Sequence, residues 1–163
     1  MEVIYEDDNV RVLDKPAGID AEKVPGRVHR LDKDTSGLLV VAKTFEAHEN
    51  LSYQIKERAA GRVYLAVSCG HWPYRQGRIE TPVGRSSKNR KKMSVLTAGG
   101  RPAVTVYRVL ESFPLGELVE VVLHTGRTHQ IRVHFAHRGH PVMGDPLYGG
   151  RKAVRNCGAA YGN

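Results

Sequence analysis

Apolar residues fall along this chain in short runs separated by clusters of Asp, Asn, Gly and Pro. Val3-Ile4-Tyr5 and Val10-Arg11-Val12-Leu13 are β-prone, and Asp7-Asp8-Asn9 between them predicts a hairpin. Lys15-Pro16-Ala17-Gly18 ends the second strand, because proline has no N–H to give a sheet ladder. Residues 19–28 are polar and interrupted by Pro25 and Gly26, which reads as a loop. Leu38 to Ala42 follows the Thr35-Ser36-Gly37 turn and reads as a buried strand. Thr44 is placed to N-cap a helix whose Ala47, Leu51, Ile55 and Ala59 share one face, with Gly61 as its terminator.

Beyond Gly61 the period becomes two. Val63, Leu65 and Val67 alternate with Tyr64, Ala66 and Ser68, so Tyr64 faces the opposite side of a strand from Val63 and Leu65. Residues 79–84, 92–97 and 103–110 favour strands, with the basic segment between the first two as a hairpin loop, and Leu118 to Leu123 adds another. Thr128 is positioned to cap a helix carrying Ile131 and Phe135 on one face, stopped by Gly139 and barred from continuing by Pro141. Strands outnumber helices, and neither a repeat nor a linker divides the chain. The expectation is therefore an α+β fold with a largely antiparallel mixed sheet flanked by helices and loops. One domain over residues 1–150 is expected, followed by a tail over 151–163 that has no periodicity and is a candidate for disorder.

Composition narrows the function classes. At 163 residues with 40% hydrophobic content, the chain is long enough for a sizeable core. Its longest strongly apolar run, Leu38 to Ala42, is far short of the ~20 residues a membrane span needs. Only Met1 and an acidic Glu2 precede the first apolar residues, so no signal peptide is read there. Cys69 and Cys157 lie far apart and outside any paired-ligand spacing, which favours a reducing, cytoplasmic setting over a disulfide scaffold. A monomer is the default. The 25 Lys and Arg against 17 Asp and Glu leave a formal charge of +8, which suits a polyanion partner. Arg85, Lys88, Arg90, Lys91 and Lys92 crowd residues 85–92 around Ser86, Ser87 and Asn89, as an RNA-phosphate contact would require; a merely solvated loop is the plainer reading. A second cationic stretch holds Arg127, Arg132 and Arg138 with His129, His134, His137 and His140. No His-Glu-x-x-His pattern accompanies these histidines, so no metal is expected.

The chemistry concentrates in residues 29–44, His-Arg-Leu-Asp-Lys-Asp-Thr-Ser-Gly-Leu-Leu-Val-Val-Ala-Lys-Thr. Asp32 and Asp34 sit in a turn between Arg30, Lys33 and a core strand. A strand end holds a carboxylate rigidly, and nearby cations favour its charged form, as a nucleophile or base needs. Two turn-capping acids paired with surface cations would read the same by spacing alone.

This string resembles the signature of the RluA-type pseudouridine synthases, and three further stretches agree with that family in order and spacing. Asp8 to Gly18 resembles its opening strand and turn. Gly61-Arg62-Val63-Tyr64-Leu65-Ala66 resembles the strand carrying its active-site tyrosine. Thr125 to His134, then Gly139-His140-Pro141 and Gly144-Asp145-Pro146-Leu147-Tyr148-Gly149, resemble its last conserved block. The resemblance covers residues 3–150. Members usually continue past the Tyr-Gly at 148–149 and often carry a small RNA-binding domain ahead of this region, so a shortened C-terminal part with an exposed sheet edge is expected.

The resemblance implies a cofactor-free RNA isomerase that detaches a uracil from its ribose, turns it and rejoins it through carbon 5. It assigns Asp32 nucleophilic or base work at the ribose and Arg127 the role of pairing with that carboxylate. Tyr64 would pack on the target base and is the candidate to remove the carbon 5 proton. Arg30 would fill the space left by the extruded nucleotide, and Ile131 and Val133 would line or support the pocket. Asp34 is left structural. Large-subunit ribosomal RNA is the expected target ahead of transfer RNA. Two other readings are a non-catalytic RNA-binding relative and an N-glycosidase using Asp32 with Asp34. The second asks two acids of one turn to flank a bond, which usually needs ~5–9.5 Å between carboxylates.

Overall fold

A computed structural model describes residues 1–96 and 98–150, which cluster into two units, one of residues 1–60 and one beginning at Gly61. The predicted tail and Cys157 lie outside the described residues. In the first unit, β1 (Glu2–Glu6), β2 (Val10–Lys15) and β3 (Gly37–Ala42) form an antiparallel sheet in that order. Asp7 closes the β1–β2 hairpin as expected: its carboxylate accepts from the N–H groups of Asn9 at 2.8 Å and Val10 at 2.7 Å. Leu13 and Leu39 pack with Ala21 and Val24 under one face of the sheet. Ala21 reaches that core because residues 21–23 form a 3-10 turn capped by Asp20, within the segment expected to be an irregular loop. β3 is half-buried, not wholly so; Leu39 is inside while Leu38 stands exposed, since this sheet covers one face only.

After β3 comes α1 (Phe45–Lys56), N-capped by the Thr44 hydroxyl, which accepts from the Ala47 N–H at 3.2 Å. Ala47, Leu51 and Ile55 form its half-buried stripe. The helix stops at Lys56, short of Gly61, because Arg58 adopts a left-handed conformation with φ 63°. The N–H groups of Arg58 and Ala59 then close back on Ile55 at 3.3 Å and Gln54 at 2.9 Å. Those two bonds satisfy helix-end carbonyls and offset the ~1–2 kcal/mol that this conformation costs a non-glycine residue.

The second unit holds β4 (Val63–Cys69), β5 (Gln76–Glu80), β6 (Val83–Arg85), β7 (Met93–Val95), β8 (Val104–Phe113), β9 (Gly116–Leu123) and α2 (Gln130–His137). Its main sheet runs β4-β9-β8-β5, and β6 and β7 make a separate hairpin around the basic loop; each strand pair is antiparallel. Thr81-Pro82 divides the strand expected over 79–84, and its two halves join different sheets. Trp72, Ile79, Tyr107, Val109, Val119, Val121 and Phe135 form the core, with Trp72 stacked against Tyr107 at 4.2 Å. Tyr64 and Ala66 pack on this core, while Val63 and Leu65 of the opposite face are 62% and 66% exposed. The bulkier aliphatic set of β4 thus points outward.

Thr128 does not cap α2. His129 holds that position with φ 56°, and its ring bonds Tyr148 instead of the helix N-terminus. The other end follows expectation: Gly139 takes φ 83°, its N–H reaches Ala136 at 3.1 Å, and that of His140 reaches Phe135 at 2.9 Å. Among the described residues no helix is long and apolar enough to cross a membrane.

Gly116 lies against the Ser68 carbonyl oxygen where β9 passes β4, and an added methyl would also meet the Met143 terminal carbon at 2.8 Å. Gly116→Ala should lower unfolding stability by about 1–3 kcal/mol, read as a reduced urea midpoint. An unchanged midpoint would contradict this packing.

Candidate active site

Asp32 opens a tight turn closed by the Thr35 N–H bonding the Asp32 carbonyl at 3.0 Å. Leu31 beside it is buried, Asp32 is half-buried and Asp34 is exposed. The segment leading in is laced to β3: the Val28 N–H meets Val40 O at 3.2 Å, and the His29 Nε2 accepts from the Val40 N–H at 3.0 Å. On the far side of the turn, the Lys33 carbonyl accepts from the Gly18 N–H at 2.9 Å and from the Lys15 ammonium at 3.0 Å. These ties fix the Asp32 backbone from both directions and leave Asp34 in solvent. Arg30 is exposed and ion-paired with Glu22 at 3.0 Å.

The remaining expected site residues belong to the second unit. Tyr64 is half-buried near the start of β4, opposite Val121 on the core face. Arg127 precedes α2; its backbone N–H donates to the Gln130 Oε1 at 3.0 Å and its Nε to the Pro102 carbonyl at 3.0 Å. Ile131 packs on the same core as Tyr64. Val133, in contrast, is buried with Val83 and Ala103 under the β6–β7 hairpin, so it supports the framework from inside.

Gln130 was not singled out by sequence, yet it organises this region. Its Oε1 also accepts from the Thr125 hydroxyl at 2.8 Å, and its Nε2 donates to Val104 O at 3.0 Å and Thr105 Oγ1 at 2.9 Å. Thr105 in turn meets His134 Nδ1 at 2.8 Å, and His134 Nε2 meets Thr81 O at 3.1 Å. A carbonyl can only accept, so the His134 proton sits on Nε2 and the Thr105 hydroxyl donates to Nδ1. Burial pushes the His134 pKa down, against the opposing pull of the Thr81 carbonyl, and nearby His137 pushes it further the same way. His134 is therefore a neutral structural link.

The basic loop is preshaped. The Asn89 side chain accepts from the Lys91 N–H at 2.9 Å, the Ser86 hydroxyl accepts from the Asn89 N–H at 3.3 Å, and Arg85 donates to Arg90 O at 2.7 Å. Lys88, Arg90 and Lys91 are exposed, and Lys92 is half-buried with its ammonium 5.9 Å from the Tyr148 ring centre. Tyr148 anchors the hairpin: its hydroxyl accepts from the Met93 N–H at 2.8 Å and meets His129 Nδ1 at 2.7 Å. Arg132 lies over the same ring at 5.0 Å and forks onto Asp145 at 2.7 and 2.9 Å. Burial alone would raise the Asp145 pKa; Arg132 and the N–H groups of Tyr148 and Leu147 outweigh it and hold the carboxylate below its usual range. Among the described residues no group of three or more His, Cys, Asp or Glu side chains could hold a metal ion.

Residues 11–137 match the family model for RNA pseudouridylate synthase. The chain is 42% identical over 192 residues to the ribosomal large subunit pseudouridine synthase D of Neisseria meningitidis, covering 98% of this chain and 51% of that one. It is 46% identical over 175 residues to the protein of the same name from Pseudomonas aeruginosa, covering 93% of this chain and 54% of that one. Among solved structures, human RNA pseudouridylate synthase domain containing 1 superposes with a TM-score of 0.84 at 28% identity, over 94% of this chain and 71% of that one. The chain belongs to the RNA pseudouridylate synthase family, and its α+β fold is that of the family. It spans about half the length of the curated relatives it matches.

Because His134 is neutral when folded and takes up a proton more readily when unfolded, stability should hold above pH 6.5 and fall as pH drops below it. One such group contributes a slope of at most about 1.4 kcal/mol per pH unit. Urea titrations from pH 7.5 to 5 should show a flatter dependence for His134→Gln than for the wild type; equal slopes would contradict a neutral buried His134.

Proposed function

We propose that this protein isomerises uridine to pseudouridine in structured RNA, with residues 1–150 as the catalytic domain. The N1–C1′ bond of the target uridine breaks, the uracil rotates, a C5–C1′ bond forms, the C5 proton leaves to solvent and N1 takes up a proton in its place. RNA is substrate and product at equal mass, so the reaction consumes no co-substrate. Asp32 acts on the ribose or base as nucleophile or base, and Arg127 supplies the guanidinium partner for the reacting carboxylate. Tyr64 packs on the uracil and takes the C5 proton. Arg30 fills the gap in the RNA left by the extruded nucleotide, since extrusion costs a few kcal/mol otherwise unrecovered. The observation carrying this reading is the Asp32 turn, half-buried and tied on both sides within a segment of family signature, while Asp34 is exposed. The names of the relatives support large-subunit ribosomal RNA as the target ahead of transfer RNA. The enzyme acts as a cytoplasmic monomer.

Uridine-containing RNA tritiated at C5 tests the reaction. The wild type should release tritium without loss of RNA mass; free uracil would mean a glycosidase, and binding alone a non-catalytic relative. Asp32→Asn should abolish release while RNA affinity survives, and Asp34→Asn should keep turning over. Normal release by the first variant, or none from a folded second, would reassign the reacting carboxylate.

Replacing Lys88, Arg90, Lys91 and Lys92 together by Ser should weaken RNA binding and flatten the slope of log affinity against log salt by about 3. Unaltered binding across a salt series would leave the loop a solubility feature.

A further inference from the structure

Arg62 stands just before β4 and extends its ladder by one bond, its carbonyl accepting from the Leu123 N–H at 3.0 Å. Side chains two apart on a strand share a face, so Arg62 and Tyr64 rise from the same side of the sheet, about 7 Å apart. Leu123 and Ile131 pack on that side with Tyr64. The Arg62 guanidinium lies against Gly126, where an added methyl would collide with its Nη1. Gly126 does not adopt a positive φ, so backbone conformation does not ask for glycine there. Room for the Arg62 head does. That head has donors and nothing to give them to. Among the described residues its side chain makes no hydrogen bond or ion pair, and its Nε is buried without an acceptor. A guanidinium has five N–H donors and stays charged, and a buried donor left unpaired costs stability. A methionine would pack beside Leu123 without that cost, but it could not meet an anion. Arg127 follows Gly126 in the chain, so two cationic side chains bracket one glycine on the side where Tyr64 is proposed to pack on the uracil. The planar guanidinium fork fits the oxygens of a phosphodiester.

We propose that Arg62 is a substrate-binding residue: its guanidinium holds a phosphodiester adjoining the target uridine, on the side of the sheet where Tyr64 meets the base. This rests on the isomerase reading above and adds the group that grips the RNA backbone at the reacting nucleotide itself. Gly126 gives the head its room, and the donors that find no acceptor in the protein are kept for the ligand.

The probe is a uridine-bearing hairpin of large-subunit ribosomal RNA, its converted uridine located by tritium release from the wild type. Hairpins with a neutral methylphosphonate at the phosphate 5′ or 3′ of that uridine are compared with the unmodified RNA. Wild type, Arg62→Met and Arg62→Lys are each measured for affinity across a salt series and for urea unfolding. Arg62→Met should bind unmodified RNA about 10-fold more weakly, with the slope of log affinity against log salt smaller by about 1. Arg62→Lys should fall between, since an ammonium keeps the charge and loses the fork. One of the two methylphosphonates should cost the wild type the same 10-fold and cost Arg62→Met nothing further. The urea midpoint of Arg62→Met should equal or exceed that of the wild type, because no hydrogen bond is lost. The proposal is overturned, with the isomerase reading intact, if Arg62→Met keeps full affinity or if neither methylphosphonate weakens wild-type binding. Methylphosphonate losses as large in Arg62→Met as in the wild type would overturn it too. So would a lowered midpoint or an unfolded Arg62→Met chain, because Arg62 then belongs to the framework. A wild-type protein that releases no tritium removes the isomerase reading and the phosphate contact with it.

Discussion

Residues 16–36 run between two adjacent strands, and one ammonium group at the end of β2 ties the two ends of that stretch together. The Lys15 head draws together carbonyls from both ends of the segment, and the Gly18 N–H adds a second donor to one of them. Backbone carbonyls turned inward, away from water, need donors. Here the donors arrive on a single side chain anchored in the sheet. Asp32 stands half-buried in the turn so tied, between the buried Leu31 and the exposed Asp34.

The second unit solves the same problem with a neutral group. Gln130 uses both acceptor sites and both amide hydrogens, and the chain of donors continues through Thr105 and His134 to Thr81. A fully satisfied buried network has one low-energy arrangement, so it specifies where Arg127 leaves the backbone. Tyr148 does the equivalent for the basic hairpin, with Asp145 and Arg132 locking the turn that carries it. Polar side chains with several partners each are thus the framework within each unit, and the charged groups proposed to meet RNA are mounted on it.

Much of the fold was legible because its cues are local. The Asp7 hairpin, the Thr44 cap, the Gly139 stop and the basic β6–β7 loop depend on residues a few positions apart, and each stands where turn and cap chemistry put it. The features misplaced or left open depended on partners elsewhere. Arg58 ended α1 early although no glycine marked the site, and His129 displaced Thr128 because Tyr148 claimed its ring. Val63 and Leu65 face outward since the aromatic core built on Trp72, Tyr107 and Phe135 takes Tyr64 and Ala66 instead. Period two says that two faces differ, and only packing says which is inside.

By itself the amino-acid order determined the class of fold, most of its strands and both helices, and the carboxylate of interest, because propensity, periodicity and a contiguous signature all act within a short stretch of chain. Tertiary structure alone decided that Lys15 is buried, that Gln130 anchors Arg127, that Val133 is framework and that Asp34 is left in water. Those outcomes turn on hydrogen bonds and burial between residues 18, 25 or 55 positions apart. The free energy of a polar atom is set by whether a distant partner reaches it, and no local pattern encodes that.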